Sequence, residues 1–516
     1  MERKGIAILM MVSVLVLAFV GNTFAQVKPI RIMVPLFTSE SPDPNGEVFK
    51  KLEALTGVKI DVNFVPYANF NDKMNAVIAS NQMPDVLTIL DWKAPAYVNG
   101  ARAGLFWDVT DMIKDYANLS AHYSPTLIKN AKTDGRLYGI PRARPNSRVT
   151  LLVRKDWMKK LNLQKPTTID EFYAVLKAFT EKNPDGNGKN DTVGLLLGID
   201  ANMNGDLDHQ AFQAITLLFG GGNFWEEKGG KLIPSFMTDA NMKALGFLRK
   251  LYTEKLINQD FATVKLDDVE TLFNESRGGM RFAMFSDGVD RQDALIKDLQ
   301  AKDPALAKLS MADAKYEIID TIYKIKSVDG TIRNSATPGF NGVCAFPKTT
   351  VKTEADLRRI LTFFDKIDSP EGQSLLRFGI EGRHFTMQNG KAVITGDTVL
   401  YTKEVASLQQ LNPTAQEVLR SSILANFSKM VDKLNAEQLE NSHYAVPDLT
   451  VPLVSATYSE RGPVLDRIIN DAKVKYIMGL LDDKGWMSAV AQWQKQGGDD
   501  IIAEYTEAYK KANGLN

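Results

Sequence analysis

With 516 residues, 62 basic and 62 acidic side chains, 44% apolar and 24% charged residues, the chain has a globular composition and is too long for a single hydrophobic core, so two or more lobes are expected. The balanced charge and the lack of a dense Lys/Arg run exclude a stripe that could displace phosphate counterions, and nucleic acid is set aside as a partner.

The chain opens with Arg3 and Lys4, the apolar run Ile6 to Val20 and the small-residue site Thr23-Phe24-Ala25, the layout of a signal peptide cut before Gln26. The run is shorter than the roughly 18–20 residues that span hydrocarbon and has no basic stop-transfer flank, which argues against a retained anchor. Residues 1–25 are read as a cleaved signal and the mature chain as exported. The single cysteine, Cys344, leaves no disulfide framework and no lipid-anchor cysteine after the signal. A freely diffusing product is retained by an outer membrane, which points to the periplasm.

A strand is expected at Ile30 to Leu36, then a helix from Glu47 with Phe49, Leu52 and Leu55 on one face, then the alternating strand Val58, Ile60, Val62, Phe64. A second helix carries Phe70, Met74, Val77 and Ile78, and Pro84-Asp85 leads into the strand Val86 to Leu90. Such spacing implies parallel βαβ units, whose ligands meet the carboxyl ends of the strands. Asp91 and Trp92 fall at that end.

After the turn and extended segment at 134–141, Thr150 to Arg154 reads as the first strand of a second lobe. Thr168 and Glu171 have capping-box spacing before a helix with Phe172, Leu176 and Phe179 on one face. Later landmarks are a strand at Arg281 to Phe285, the segment Pro338 to Pro347, a helix at Asp356 to Asp368, a helix opened by Ser369-Pro370, and helices over Pro463 to Ala512. The expected organisation is 26–145 in lobe 1, 146–335 in lobe 2, 336–395 returning to lobe 1, and 396–516 returning to lobe 2 with the C-terminal helices.

Several blocks resemble the family-1 extracellular solute-binding proteins, the group that includes the maltose-binding, alginate-oligosaccharide-binding and lipoprotein-like Paenibacillus sugar binders. They are Asp134-Gly135-Arg136-Leu137-Tyr138-Gly139-Ile140-Pro141, then 153–163 from Val153-Arg154-Lys155-Asp156-Trp157, Thr167-Thr168-Ile169-Asp170-Glu171-Phe172, 185–191, and Phe378-Gly379-Ile380-Glu381-Gly382-Arg383-His384-Phe385. Their order and spacing carry the likeness over most of the mature chain. The resemblance implies an α/β, two-lobe periplasmic binding fold of the maltose-binding type. It further implies a hinge that closes on an oligosaccharide, and delivery of the closed form to an ABC transporter permease. A monomer is expected.

Sugar capture needs planar apolar surface for pyranose faces and a ring of hydrogen-bonding side chains. Trp92 directly follows a strand, the alternative being a plug in its own lobe's core. Trp225 sits after the glycine run 220–222, with core packing as the alternative. Trp157, Trp486 and Trp493 read as structural. Arg142 and Arg144, with Asn146 and Arg148, lie in the expected crossing, where guanidinium forks suit carboxylate or vicinal hydroxyls. A solvated hinge is the other reading. Ser286 and Asp287 follow a strand of the second lobe, where maltose-binding relatives offer a tryptophan. Glu381, Arg383, His384 and Phe385 form a loop that serves either ligand or an interdomain latch, and Tyr458 is a further ligand candidate.

In the loop 183–191, oxygen side chains at Asn183, Asp185, Asn187 and Asp191, glycine at 188 and the backbone carbonyl of Lys189 reproduce the spacing of a calcium-wrapping loop. Alginate-binding relatives hold a structural calcium in the similar loop but carry acids where this chain has Asn183 and Thr192, so affinity is expected to fall. An unliganded polar turn is the alternative. The run 200–208 has similar spacing without family support.

A secreted polysaccharide-active lyase or glycosidase is the rival class, requiring for glycoside hydrolysis two carboxylates about 5–9.5 Å apart. No hydrolase motif occurs, and the four histidines, His122, His209, His384 and His443, lack metal-ligand spacing. A non-catalytic binder is therefore expected, with a chemosensory protein on the same scaffold as a third reading.

Overall fold

The computed structural model describes residues 28–38, 40–200, 205–388, 391–394, 398–414 and 428–515. The signal segment 1–25 lies outside the described residues. Nine strands make the two main sheets. In chain order they are β1 (Ile30–Leu36), β2 (Ile60–Pro66), β3 (Val86–Ile89), β4 (Ile140–Ala143), β5 (Val149–Arg154), β6 (Val193–Leu196), β7 (Gly278–Met284), β8 (Ile319–Ile322) and β9 (Phe340–Ala345).

The first sheet runs β2-β1-β3-β9-β4. Strands β1 to β3 are parallel, and β9 returns antiparallel to both β3 and β4. The helices Glu47–Thr56 and Phe70–Ala79 supply the crossovers, burying Phe49, Leu52, Phe70 and Met74. Central β3 is buried at all four positions, whereas edge strand β2 exposes Asp61. The pairing of β9 slips between Phe340 and Val343. Gly342 makes the slip possible: its φ is +80°, and a Cβ there would sit 2.2 Å from the Ile89 carbonyl oxygen.

The second sheet runs β8-β5-β7-β6. Its alternating residues feed two apolar layers. Leu151, Val153, Leu195 and Met280 join one core with the helices Ala456–Ile477, Asp483–Trp493 and Asp499–Asn513. Leu152, Leu196 and Ala283 join the other with Met430, Val431 and Leu434 of the helix Ser428–Asn441. Trp157, Trp486 and Trp493 are buried in the former. The first of these C-terminal helices begins at Ala456, capped by Ser455, so Pro463 lies inside it rather than at its start.

A separate core underlies the first sheet. It contains Val405, Leu408 and Leu411, and Thr414 bridges to Ala143, so the return to the first lobe runs past residue 395 to at least 414. The short helix Thr398–Glu404 and the 3-10 turn Ala406–Leu411 carry no clean apolar period, which explains the displaced boundary. Thr168 caps its helix as expected, but Glu171 reaches Thr167 rather than Thr168.

The lobes are tied at the crossings. Asn334 and Ser335 pair in parallel with Ala445 and Val446. The fully buried Asn223 of the second lobe donates to the carbonyls of Ala336 (2.9 Å) and Val446 (2.8 Å), and accepts from Ser335 Oγ (2.9 Å). On the first-lobe side, Thr337 N donates to Asn146 O (2.7 Å) and Arg144 N to Gly339 O (2.9 Å). Buried Asp368 joins a helix end to the departing segment by accepting from Gln373 and Thr414. Burial pushes its carboxyl up to about 7.

Candidate ligand cleft

The carboxyl ends of β1, β2 and β3 open on one edge of the first sheet. Each is followed at once by residues that reach that edge: Phe37 after β1, Tyr67 after β2, and Asp91, Trp92 and Lys93 beyond β3. Trp92 is half-buried against Phe340, with ring centroids 4.6 Å apart. Its buried indole N–H finds no acceptor among the described residues, as is also true of the core residue Trp157, so it is the partial exposure of Trp92 that sets it apart. The bulge at Gly342 sets Phe340 in that position.

The second lobe and its crossing segment meet this edge at Lys93. Its Nζ donates to Thr450 O (2.9 Å) and lies 5.5 Å from the ring centroid of Tyr505. Burial lowers the ammonium's proton affinity, and the nearby carboxylates Asp448 and Asp91 partly restore it. Asp91 reaches solvent, yet the surrounding protein raises its carboxyl; Asp448 is raised by burial as well. Around Tyr505 stand Trp225, edge-on at 5.1 Å, and Tyr458 at 6.3 Å. The Tyr458 hydroxyl donates to Asp466 Oδ2 (3.0 Å). Trp225 begins the hairpin Trp225–Lys228 and Lys231–Pro234. Tyr505 itself is buried and backs the half-buried rings of Trp225 and Tyr458, which with the surrounding carboxylates, hydroxyl and ammonium can stack on and hydrogen-bond a polyhydroxylated ring.

Thus Asp91, Trp92, Trp225 and Tyr458 come together, whereas other expected ligand residues do not. Arg142 is 1% exposed. Its guanidinium is spent on Asn341 O (3.1 Å) and Gln410 Oε1 (2.7 Å), because the last residues of β4 point into the lobe. Arg144 is half-buried and donates to Ala143 O (2.7 Å) at the crossing. Asp287 turns back on its own strand end, accepting from Met284 N (3.1 Å) and pairing with Arg291 (3.4 Å); Ser286 beside it is half-buried. His384 is buried: its Nδ1 accepts from Ile380 N (3.0 Å) and its Nε2 faces Glu404 (3.1 Å). Burial lowers its basicity, with Glu404 opposing. Arg383 pairs with the same Glu404 (2.8 Å), which makes a latch within the first lobe. Glu381 is exposed on that loop.

In the loop 183–191 the side chains converge. Asn183 with its amide turned bonds Asp185 Oδ1 (2.7 Å) and Gly188 N (2.9 Å), and Asn187 Nδ2 donates to Asp191 Oδ1 (3.0 Å). Asn187 Oδ1 accepts from Lys189 N (2.7 Å). Arg277 approaches Asp191 at 3.5 Å, and Lys160 donates to Pro184 O at 2.8 Å. Among the described residues no three His, Cys, Asp or Glu side chains cluster as metal ligands. In the run 200–208 the acids are otherwise engaged: Asp200 with His209 (3.0 Å), Asp206 with Lys473 (2.8 Å), and Asp208 as helix cap. Residues 201–204 lie outside the described set.

The profile of the bacterial extracellular solute-binding proteins matches residues 42–321. The chain belongs to that family. It is 36% identical over 478 residues to the polygalacturonan/rhamnogalacturonan-binding protein YtcQ of Bacillus subtilis (strain 168), covering 91% of this chain and 89% of YtcQ. It is 34% identical over 489 residues to lipoprotein LipO of the same organism, covering 94% and 92%. A crystal structure of the alginate-binding protein AlgQ2 without calcium ion superposes with a TM-score of 0.68 at 20% identity over 95% of this chain and 99% of that one, which shows the shared two-lobe fold. The family and YtcQ are binding proteins rather than enzymes. Among the described residues, no helix is long and apolar enough to cross a membrane.

Several residues of the cleft escape sequence reasoning. Lys93, Asp448, Asp466 and Tyr505 are brought in by tertiary packing. Phe37 and Tyr67 carry the same signal as Trp92, an aromatic immediately after a strand of the parallel run.

Proposed function

We propose that the chain is the substrate-binding component of an ABC importer and captures an oligosaccharide between its lobes without breaking a bond. The observation that carries this reading is the convergence of Trp92 and Lys93 from the first lobe with Trp225, Tyr458 and Tyr505 from the second around the same crossing segment. The sugar-binding names of YtcQ and AlgQ2 support it. The protein acts as an exported monomer, in the periplasm if the signal is cleaved before Gln26, and hands its closed form to a permease. Binding to the folded state raises the melting temperature, so a thermal-shift panel of neutral and uronate oligosaccharides should give at least one clear upward shift. A flat panel would refute the substrate class.

We also propose that the loop 183–191 takes a calcium ion, through Asp185, Asp191, the oxygens of Asn183 and Asn187, and the carbonyl of Lys189. Two carboxylates and two nearby cations, Lys160 and Arg277, put the affinity toward the weak end, on the order of 0.1–1 mM. Calcium should raise the melting temperature of the wild type and leave Asp185→Ala unmoved; equal melts with calcium and with chelator would remove the ion from this loop.

A further inference from the structure

Phe37 and Tyr67 stand apart from the aromatics around Tyr505. They are 53% and 45% exposed, with ring centroids 4.6 Å apart and planes inclined by only 31°. Large apolar rings at that exposure sit at a cost in water unless a partner covers them. They follow adjacent parallel strands, β1 and β2, on the edge where ligands meet such sheets. In the sheet order, β2 is two strands from β3, about 10 Å at the spacing of neighbouring strands. Within electrostatic reach of Tyr67 in the second lobe are Asp200, paired with His209, and the exposed Asp267 in the first turn of the helix Leu266–Asn274. The Tyr67 phenol is held protonated to higher pH, first by burial and then by the charges of these two carboxylates. Lys265 is the basic residue on the same turn.

We infer that Phe37 and Tyr67 form a second stacking subsite for an uncharged sugar ring, so that the bound chain runs from Trp92 to this platform and is longer than a disaccharide. This rests on the sugar-capture reading above. A uronate on the platform would bring its carboxylate against Asp267, whereas the hydroxyls of a neutral ring can donate to that carboxylate.

The test is calorimetric titration of wild type, Phe37→Ala, Tyr67→Ala and Tyr67→Phe with galacto-, xylo- and manno-oligosaccharides of two to six residues, and with oligogalacturonates of the same lengths. In the best neutral series, wild-type affinity should rise beyond the disaccharide. The two alanine variants should lose about tenfold for the longer members and little for the disaccharide, and Tyr67→Phe should retain affinity. Equal losses at all lengths, or none, would overturn the platform. Tighter binding of oligogalacturonate than of every neutral series would overturn the uncharged ring while leaving sugar capture standing. Failure of the wild type to bind any of these sugars would overturn the sugar-capture reading and this inference with it.

Discussion

On the first lobe's wall of the cleft, Phe37, Tyr67 and Asp91 to Lys93 each follow directly from a strand of one parallel run. Across from them, Trp225, Asp448, Tyr458, Asp466 and Tyr505 come from a hairpin, a crossing segment and two C-terminal helices. Both walls present aromatic rings and carboxylates, but only the first is laid out in sequence order. A wall made of consecutive strand ends is fixed by local βαβ alternation. A wall made of distant segments depends on how the C-terminal helices dock, and on the crossings that hold them.

That dependence is most exposed at Asn223. Asn223→Ala removes the side-chain donor of the half-buried Ala336 and Val446 carbonyls, of which Val446 keeps Ala336 N, and the acceptor of the Ser335 hydroxyl, at a cost of about 2 kcal/mol. Urea unfolding should show the loss, and the second wall should suffer more than the first, so sugar affinity should fall as well. Stability within about 0.5 kcal/mol of wild type would mean that the crossings are held by other contacts.

The first lobe has its own sensitive joint in Asp368. Its folded carboxyl titrates near 7 against an ordinary value of about 4 in the unfolded chain. Across that window the folded state holds a proton that the unfolded chain has released, so stability falls as pH rises from 4 to 7. Asp368→Asn keeps an uncharged group there and should flatten this part of the profile, adding on the order of 2 kcal/mol at pH 8 and little at pH 4. An unchanged slope in melting temperature against pH between 4 and 7 would place the titration elsewhere.

A smaller effect separates the walls as ligand surfaces. Trp92→Ala should weaken binding of the captured sugar by about 1–2 kcal/mol while leaving both lobes folded, since the indole is only half-buried. If affinity held and stability fell instead, Trp92 would belong to the core beneath it.

The same contrast explains how much could be read from the chain. The first lobe's strands and helices follow from alternation and capping, and the edge residues Asp91 and Trp92 come with them. Phe37 and Tyr67 obey the same rule and are legible once it is applied to every strand of the run. Arg142 misleads because a guanidinium in an expected crossing reads as open, and only tertiary packing shows it closed over by Asn341 and Gln410. Arg383 and His384 look like a ligand loop until Glu404, about twenty residues further on, is found between them. Tyr505 reads as a packing residue of an amphipathic helix, which it also is. Its place beside Lys93 depends on the fold of the whole chain.

Capture as proposed requires two separately cored lobes that close on an intact sugar. Small-angle scattering of the protein with and without the oligosaccharide giving the largest melting shift, with mass spectrometry of the sugar recovered afterwards, tests this most directly. A smaller radius of gyration at saturating ligand and an unshortened oligosaccharide are predicted; an unchanged radius, or a shortened sugar, would contradict it.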